Sequence, residues 1–414
     1  MASGSLLIRN IKQLVGVSKE YPELKKGADL NKLPCLDQCY LQIENGKIKS
    51  FGPDSQAPEY SGEQLDAKNG LVLPAFVDCH THLVFAEWRE REFNDRIHGL
   101  TYQEIASRGG GILNSARKLG LLSEEALYER AAIRLQAAIE CGTGAIEIKS
   151  GYGLNPENEL KILRVIKKLK ENFSIPIKAS FLAAHAYPLE FRENHPAYIR
   201  QITEVMLPQL AAEGLADYCD VFCEQNFFST EETDQILGAA SKYQLKARIH
   251  TNQFTNSGGI EIAIRHQAVS VDHLEVCNSE EIELLKNSNT LPVLLPGAAF
   301  FMNQEHAPAR KMIEAGLPIV LASDFNPGTC PSSNMPFILS LACIQLRLSP
   351  EEALNAMTLN AAYSLEIQDQ LGSITPGKLA NLIITKPVSS LAFLPYSFGS
   401  NWIDRVLIQG QAII

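Results

Sequence analysis

The sequence predicts an α/β protein, with a (β/α)8 barrel of the TIM type and a small β-sandwich domain formed by the N- and C-terminal segments. Eight apolar, β-rich runs alternate with helical patterns over about 300 residues, which is the number and spacing of a closed parallel barrel. Short strand-like runs broken by turn residues lie on both sides of this region and predict the second domain. A doubly wound open sheet is the alternative architecture.

The first 70 residues are expected to supply one half of the small domain. The pair Asn45-Gly46 lies between two apolar runs and is typical of a two-residue β-hairpin turn. Residues 20–34 are polar and charged, which indicates a surface loop. Residues 373–414 contain short apolar runs again and are expected to complete the domain, so that residues 71–372 form the barrel between its two halves.

The barrel is predicted from strands that alternate with helix-start signals. Ser123 precedes an acidic first turn, and Asn155 precedes Pro156, which places a capping side chain before each helix. Because strands and helices alternate, we expect the strands to run parallel. The predicted strands lie near residues 71–82, 144–150, 177–185, 218–224, 245–250, 268–274, 290–296 and 318–324.

Composition and charge exclude several classes of protein. The chain has 414 residues, of which 45% are hydrophobic and 20% charged, so it is not intrinsically disordered. Its net charge of −10 disfavours nucleic acid or an anionic membrane as a partner, and it contains no apolar run of membrane-spanning length. Nine scattered cysteines and a start without signal-peptide features indicate reduced thiols and a cytoplasmic location.

Histidines and one aspartate follow the predicted strands where an active site is expected, at the carboxyl ends. His80 and His82 are two residues apart, so they point to the same side of an extended strand. Three imidazoles and one carboxylate suit a single Zn or Fe ion, which would lower the pKa of a bound water towards neutrality. The full set is His80, His82, His185, His250, His273 and Asp324.

Several motifs resemble one enzyme family. The run Pro74–His82 resembles the first-strand signature of the amidohydrolase superfamily. Further segments are similar to the imidazolonepropionase family within it, among them 149–154 and, most specifically, Asp324-Phe325-Asn326-Pro327-Gly328-Thr329. The resemblance covers roughly residues 71–380. It implies a homodimer that hydrolyses 4-imidazolone-5-propanoate, a small anionic imidazolone, to N-formimidoyl-L-glutamate in histidine degradation.

The resemblance also implies roles for the polar residues. The metal ligands are His80, His82, His250 and Asp324. Asp324 is expected to take a proton from water and deliver it to the leaving nitrogen, and His273 to polarise the reacting carbonyl or to shuttle a proton. The choice between Zn and Fe and the proton route between Asp324 and His273 remain open.

Arg89 is the expected partner of the substrate's carboxylate, since a guanidinium binds a carboxylate bidentately. Gln253 stands where related deaminases have a glutamate. An amide cannot titrate, so Gln253 favours hydrolysis of a lactam over deamination. The other expected substrate contacts are Tyr102, Tyr152, His185, Asn326, Gly328 and Thr329.

Two alternatives stay open at this point. One is another amidohydrolase, such as a cyclic-imide hydrolase or a purine or pyrimidine deaminase. The other is a non-catalytic metal-binding or scaffold protein on the same barrel, against which the complete ligand set argues, because an inactive relative usually loses a ligand first.

Overall fold

The N-terminal part of the chain forms five strands. The computed structural model describes residues 5–100, 104 and 110–414. The predicted hairpin is present: Asn45 and Gly46 both have positive φ, 53° and 73°, as a type I′ turn requires. Residues 20–34 are less exposed than expected, because Leu30 is fully buried and lies in a short 3₁₀ helix, Gly27–Asn31. The strands are β1 (Leu6–Val15), β2 (Cys35–Glu44), β3 (Lys47–Pro53), β4 (Glu63–Asp66) and β5 (Leu71–Pro74).

The next eight strands form one parallel sheet in sequential order. Hydrogen bonds from Asp324 N to His80 O (3.1 Å) and from His82 N to Phe325 O (2.8 Å) join its first and last members. The sheet is therefore a near-closed (β/α)8 barrel rather than a doubly wound open sheet. Its strands are β6 (Phe76–Asp78), β7 (Thr143–Lys149), β8 (Ile177–Ala184), β9 (Tyr218–Cys223), β10 (Lys246–Thr251), β11 (Ser270–His273), β12 (Leu291–Leu294) and β13 (Val320–Leu321).

Helices connect these strands, and several begin where the sequence predicts. Ser123 and Asn155 each accept a backbone hydrogen bond at a helix start. From the first barrel loop to the second domain the helices are α1 (Glu90–Ile97), α2 (Gly111–Gly120), α3 (Glu124–Glu140), α4 (Pro156–Asn172), α5 (His195–Arg200), α6 (Leu207–Glu213), α7 (Thr230–Ser241), α8 (Gly259–Arg265), α9 (Ser279–Lys286), α10 (Pro296–Met302), α11 (Ala309–Glu314), α12 (Met335–Ile344), α13 (Pro350–Met357) and α14 (Leu359–Ser364). A π-helical turn, Gln201–Met206, joins α5 to α6.

The C-terminal part returns to the N-terminal strands, as predicted. It forms β14 (Leu382–Thr385), α15 (Phe393–Tyr396), β15 (Ile403–Ile408) and β16 (Gln411–Ala412). The resulting terminal sheet has the order β16-β15-β14-β5-β1-β2-β3, with β4 paired to β1.

The stretch that we predicted as one strand, 71–82, is divided between the two sheets. Leu71–Pro74 pairs with β14 in the terminal sheet, and only Phe76–Asp78 joins the barrel. The division of the chain into two domains at residues 70 and 373 stays a prediction.

Two further features concern the cysteines and the length of the helices. All nine cysteines are free thiols. Within the described residues, no helix combines the length and the apolar character needed to cross a bilayer.

Candidate active site

Four of the predicted ligands converge at the carboxyl end of the barrel. His80 and His82 follow β6, His250 lies near the end of β10, and Asp324 follows β13. The Nε2 atoms of His82 and His250 are 3.4 Å apart, and Oδ1 of Asp324 lies 3.5 Å from His80 Nε2 and 3.6 Å from His82 Nε2. All four side chains are buried, so their donor atoms face one another in a space that excludes solvent.

This arrangement fits a metal ion. Nε2 of His80 is buried and has no hydrogen-bond partner among the described residues. Burial lowers the pKa of His80, His82 and His250, which keeps the imidazoles neutral and their lone pairs available. Three imidazole nitrogens and a carboxylate oxygen are a donor set typical of Zn and Fe sites.

Two aspartates orient His80 and His250 by contacting the ring nitrogen that points away from the cluster. Oδ2 of Asp272 lies 2.6 Å from Nδ1 of His80, and Oδ1 of Asp220 lies 3.0 Å from Nδ1 of His250. A carboxylate can only accept here, so each imidazole donates from Nδ1 and turns Nε2 towards the cluster. We did not predict either aspartate, although a carboxylate within an otherwise apolar strand signals a buried partner.

Buried cations balance these carboxylates. Nζ of Lys149 lies 2.8 Å from Glu147 and 2.7 Å from Asp220, and Nη2 of Arg248 lies 3.8 Å from Asp272. Although burial opposes it, the contacts that His250 and Lys149 make with its carboxylate lower the pKa of Asp220. The histidines thus rest on a fully buried ionic network in which every carboxylate has a cationic neighbour.

His273, which lies beside the predicted ligands, and Asp324, which is one of them, occupy strained backbone positions. Their φ angles are +91° and +55°, in the left-handed region that non-glycine residues avoid. His273 Nδ1 lies 3.5 Å from Glu275 Oε2. Burial raises the pKa of Asp324 to about 7, and His273 offsets this only in part, so this carboxyl group can hold a proton near neutral pH.

A cavity of about 50 Å³ opens onto the cluster and brings most predicted substrate contacts together. Gly328 lies at its rim, where a Cβ atom would come within 2.4 Å of Nη1 of Arg89, so a larger residue would displace the guanidinium. Tyr102 lies outside the described residues. The predicted contacts that line the cavity are Arg89, Tyr152, His185, Gln253, Asn326 and Thr329.

Arg89 enters this cavity with an unused donor. Its Nε donates to Oγ of Ser115 at 2.9 Å, and its guanidinium carbon lies 5.6 Å from the centre of the Tyr152 ring. Its Nη2 is buried without a hydrogen-bond partner among the residues that the structure describes. The guanidinium is half-buried, and a shielded N–H group of this kind is a ready partner for an anionic group. Ser115, which we did not predict, holds Arg89 in place.

The other predicted substrate contacts differ in how many hydrogen bonds their polar atoms already form within the protein. Asn326 makes four hydrogen bonds within its own loop, donating to Asp324 O and Thr329 Oγ1 and accepting from Gly328 N and Thr329 N, so its side chain orders the loop. His185 stacks on His82 with ring centres 5.2 Å apart. Burial, and after it the neighbouring His250, lowers the pKa of His185 to about 3, so its ring is neutral.

Gln253 lies in a loop fastened by a carboxylate that we did not predict. Glu224 accepts hydrogen bonds from the backbone N–H groups of Phe254 (2.9 Å) and Thr255 (3.3 Å). Phe222, Phe227 and Phe254 form an apolar wall of the same cavity. The cavity therefore combines a flat apolar wall with an amide, a guanidinium and the ligand cluster.

Comparison with known proteins agrees with this geometry. The model of the amidohydrolase family matches residues 71–413. The chain is 52% identical over 408 residues to the imidazolonepropionase of Flavobacterium johnsoniae, covering 98% of this chain and 99% of that protein. It is 49% identical over 410 residues to the imidazolonepropionase of Christiangramia forsetii, covering 99% of this chain and all (100%) of that protein.

A solved structure shows the same fold at low sequence similarity. The guanine deaminase of E. coli superposes with a TM-score of 0.74 at 15% identity, over 99% of each chain. At that identity the likeness concerns the fold alone. The family match and the full-length relatives carry the assignment: the chain belongs to the amidohydrolase family and, within it, to the imidazolonepropionases.

Proposed function

We propose that the chain is a metal-dependent hydrolase that opens the ring of 4-imidazolone-5-propanoate at a C–N bond and yields N-formimidoyl-L-glutamate, as its relatives' name indicates. One observation of the site carries the proposal. Arg89, whose Nη2 has no hydrogen-bond partner in the described part of the chain, lines the same cavity as His82, His250 and Asp324. A single small molecule can therefore place a carboxylate on Arg89 and a cyclic amide at the cluster.

We assign His80, His82, His250 and Asp324 as the metal ligands. When bound, Zn or Fe supplies Lewis acidity, which makes water a stronger acid and polarises a carbonyl group. Asp324 receives the proton of the attacking water and passes it to the ring nitrogen as the C–N bond breaks. His273 donates a hydrogen bond to the carbonyl oxygen as negative charge develops there. Atoms balance with one water consumed and no ammonia released.

The remaining residues bind and orient the substrate. Arg89 binds the propionate, and Tyr152 and the neutral His185, which line the same cavity, contact the substrate. Gln253 recognises the ring amide by donating and accepting hydrogen bonds. Asn326, Gly328 and Thr329 contact the substrate from the loop that follows β13, and Tyr102 is a further proposed contact. The absence of a side chain at Gly328 leaves room for the Arg89 guanidinium.

Assembly and location are also proposals. We expect a homodimer in the cytoplasm, with neither nucleic acid nor a membrane as a partner. The net charge of −10 supports the last two points.

Loss of imidazolone absorbance, followed with and without a chelator, tests the proposal. Chelation is expected to abolish turnover, and Zn or Fe to restore it. Arg89→Ala is expected to raise KM for the propionate substrate far more than for an analogue without the carboxylate, whereas the exposed Arg200→Ala serves as control. Equal losses on both substrates would contradict the pairing of Arg89 with the carboxylate.

Deamination by the same site is the second candidate, because the amidohydrolase fold also serves the guanine deaminase. Gln253 argues against it, since an amide cannot carry the proton that a leaving amine needs. Release of ammonia from the imidazolone substrate, or from aminated purines or pyrimidines, would overturn the hydrolase proposal.

A further inference from the structure

A second, larger cleft lies beside the active-site cavity. It has a volume of about 810 Å³ and is formed by residues 86–92 together with α2 and α3. None of the proposed metal ligands lines it. Arg89 lines both spaces and Ser115 lines the larger one, so this hydrogen-bonded pair forms part of the wall between them.

The cleft is strongly cationic in an acidic chain. Against six cationic residues it has three acidic ones. Two of these three are already engaged, because Glu87 pairs with Lys118 at 2.9 Å and Glu92 accepts from the backbone of Gly111 at 3.0 Å. The cations are Arg89, Arg91, Arg117, Lys118, Arg130 and Arg134.

Four of these arginines, Arg91, Arg117, Arg130 and Arg134, form no ion pair with a carboxylate of the described residues. Arg130 and Arg134 lie one turn apart on α3 and donate instead to backbone carbonyls, to Ala86 O and Phe85 O, each at 2.6 Å. Arg134 is buried, and its guanidinium lies 3.4 Å from the centre of the Phe85 ring. Burial, together with Arg130, lowers the pKa of Arg134 to about 9. Only Arg134 of these four is buried, and Glu87 interacts with Arg130 and Arg91 as well as with Lys118. The positive charges around the cleft therefore outnumber the negative ones, and an added anion would balance them.

We propose that this cleft binds a small organic anion that carries at least two carboxylate or phosphate groups. The charges come from three different helices, so an anion with several charged groups is expected to contact more of them than a monovalent anion. The cleft concentrates positive potential that the rest of the chain, with its net charge of −10, does not offer. Its volume is that of a small-molecule site.

The chain has a built-in reporter for this binding. Trp88 lines the cleft and is 43% exposed, whereas the only other tryptophan, Trp402, is buried in the second domain. Succinate and fructose 1,6-bisphosphate, which are weak metal chelators, are titrated separately at constant ionic strength, with acetate as the monovalent control. We expect a saturable change in tryptophan fluorescence with succinate, fructose 1,6-bisphosphate or both, and none with acetate. The anion with the lower dissociation constant shows whether the cleft prefers carboxylate or phosphate groups.

Variants locate the site. The double variant Arg91→Gln/Arg117→Gln changes two exposed side chains and is expected to weaken binding at least tenfold, about the effect of losing charge-assisted hydrogen bonds. Arg200→Gln, also exposed, should leave binding unchanged, and Trp88→Phe should abolish the signal. The proposal is overturned if neither anion gives saturable binding, if the double variant binds like the wild type, or if the signal survives Trp88→Phe.

A consequence for turnover depends on the proposed function. Because Arg89 belongs to both walls, an anion in the cleft should draw its guanidinium away from the substrate and raise KM without changing kcat. In the Arg91→Gln/Arg117→Gln variant this effect should disappear, while simple competition at the active site would persist. The fluorescence titration needs no turnover, so failure of the hydrolase proposal and failure of the anion site give different results.

Discussion

The barrel interior and the terminal sheet bury side chains of opposite character. Strands β7, β9, β10 and β11 bury five charged residues, whereas the described residues of the terminal segments bury one, Lys378. The core between the terminal strands is made of Leu, Ile, Val, Ala and Cys side chains. The five charged residues of the barrel are Glu147, Lys149, Asp220, Arg248 and Asp272.

This difference indicates that the buried charges of the barrel contribute little to stability, whereas the apolar core of the terminal sheet contributes much. A buried ion pair contributes little net stability compared with apolar packing of the same volume, because both charges lose their hydration. The terminal core, in contrast, is stabilised mainly by apolar burial. We infer that the barrel retains its charges because they orient His80 and His250, and that the terminal sheet serves as support.

The largest effect on activity is expected from removing one of the side chains that we assign as metal ligands. His250→Ala should eliminate both metal binding and turnover, because the cluster loses one of three imidazole nitrogens. Metal content per chain and loss of imidazolone absorbance measure the two effects. The control is His266→Ala, which removes a histidine paired with Asp234 at 2.9 Å on the outer surface. A His250→Ala protein that keeps its metal and its activity would contradict the assigned ligand set.

The next largest effect is expected from removing Lys149, the buried lysine that pairs with Asp220 behind His250. Lys149→Met should lower the free energy of unfolding by about 3–5 kcal/mol, since it leaves Glu147 and Asp220 with an uncompensated buried charge. Lys178→Met is the matched control on the neighbouring strand. Its pair with Asp217 is partly exposed, so about 0–1 kcal/mol is expected. Equal losses in chemical denaturation would mean that burial does not distinguish the two pairs.

The same contrast explains how much the sequence could predict. The candidate ligands could be grouped from the sequence because His80, His82, His250 and Asp324 all lie at strand ends, and the ends of parallel strands meet whatever the details of packing. Asp220 escaped prediction because it lies inside β9. Its contact with His250 depends on register, which pairs His250 with Phe222, two residues further along β9.

The boundary between the two sheets needed information from distant parts of the chain. Leu71–Pro74 and Phe76–Asp78 read as one apolar run, yet the first segment pairs with Leu382–Ile384 and the second with β7. Ala75 lies between them and donates its N–H to Asn381 O at 2.9 Å. Little in the local sequence distinguishes the two halves, because both are buried and, apart from Asp78, both are apolar.

A core variant in the terminal sheet should affect stability without affecting chemistry. Leu41 is fully buried in β2, and Leu41→Ala is expected to lower the free energy of unfolding by about 2–5 kcal/mol through lost burial and a residual cavity. The kcat/KM of the folded fraction should equal that of the wild type. A reduced kcat/KM at full folding, measured below the denaturation temperature, would show that the terminal sheet also positions the active site.

The smallest effect tests whether the barrel's carboxylates act through the histidines. Asp272→Asn keeps the size of the side chain but removes the charge that faces Nδ1 of His80 at 2.6 Å. Metal affinity is expected to fall about 10–100-fold, which corresponds to roughly 1.4–2.7 kcal/mol. Asp234→Asn provides the same change beside a histidine outside the cluster and should leave metal affinity unchanged. If metal affinity is unchanged in Asp272→Asn while unfolding becomes easier, the aspartate balances Lys149 and Arg248 and does not orient His80.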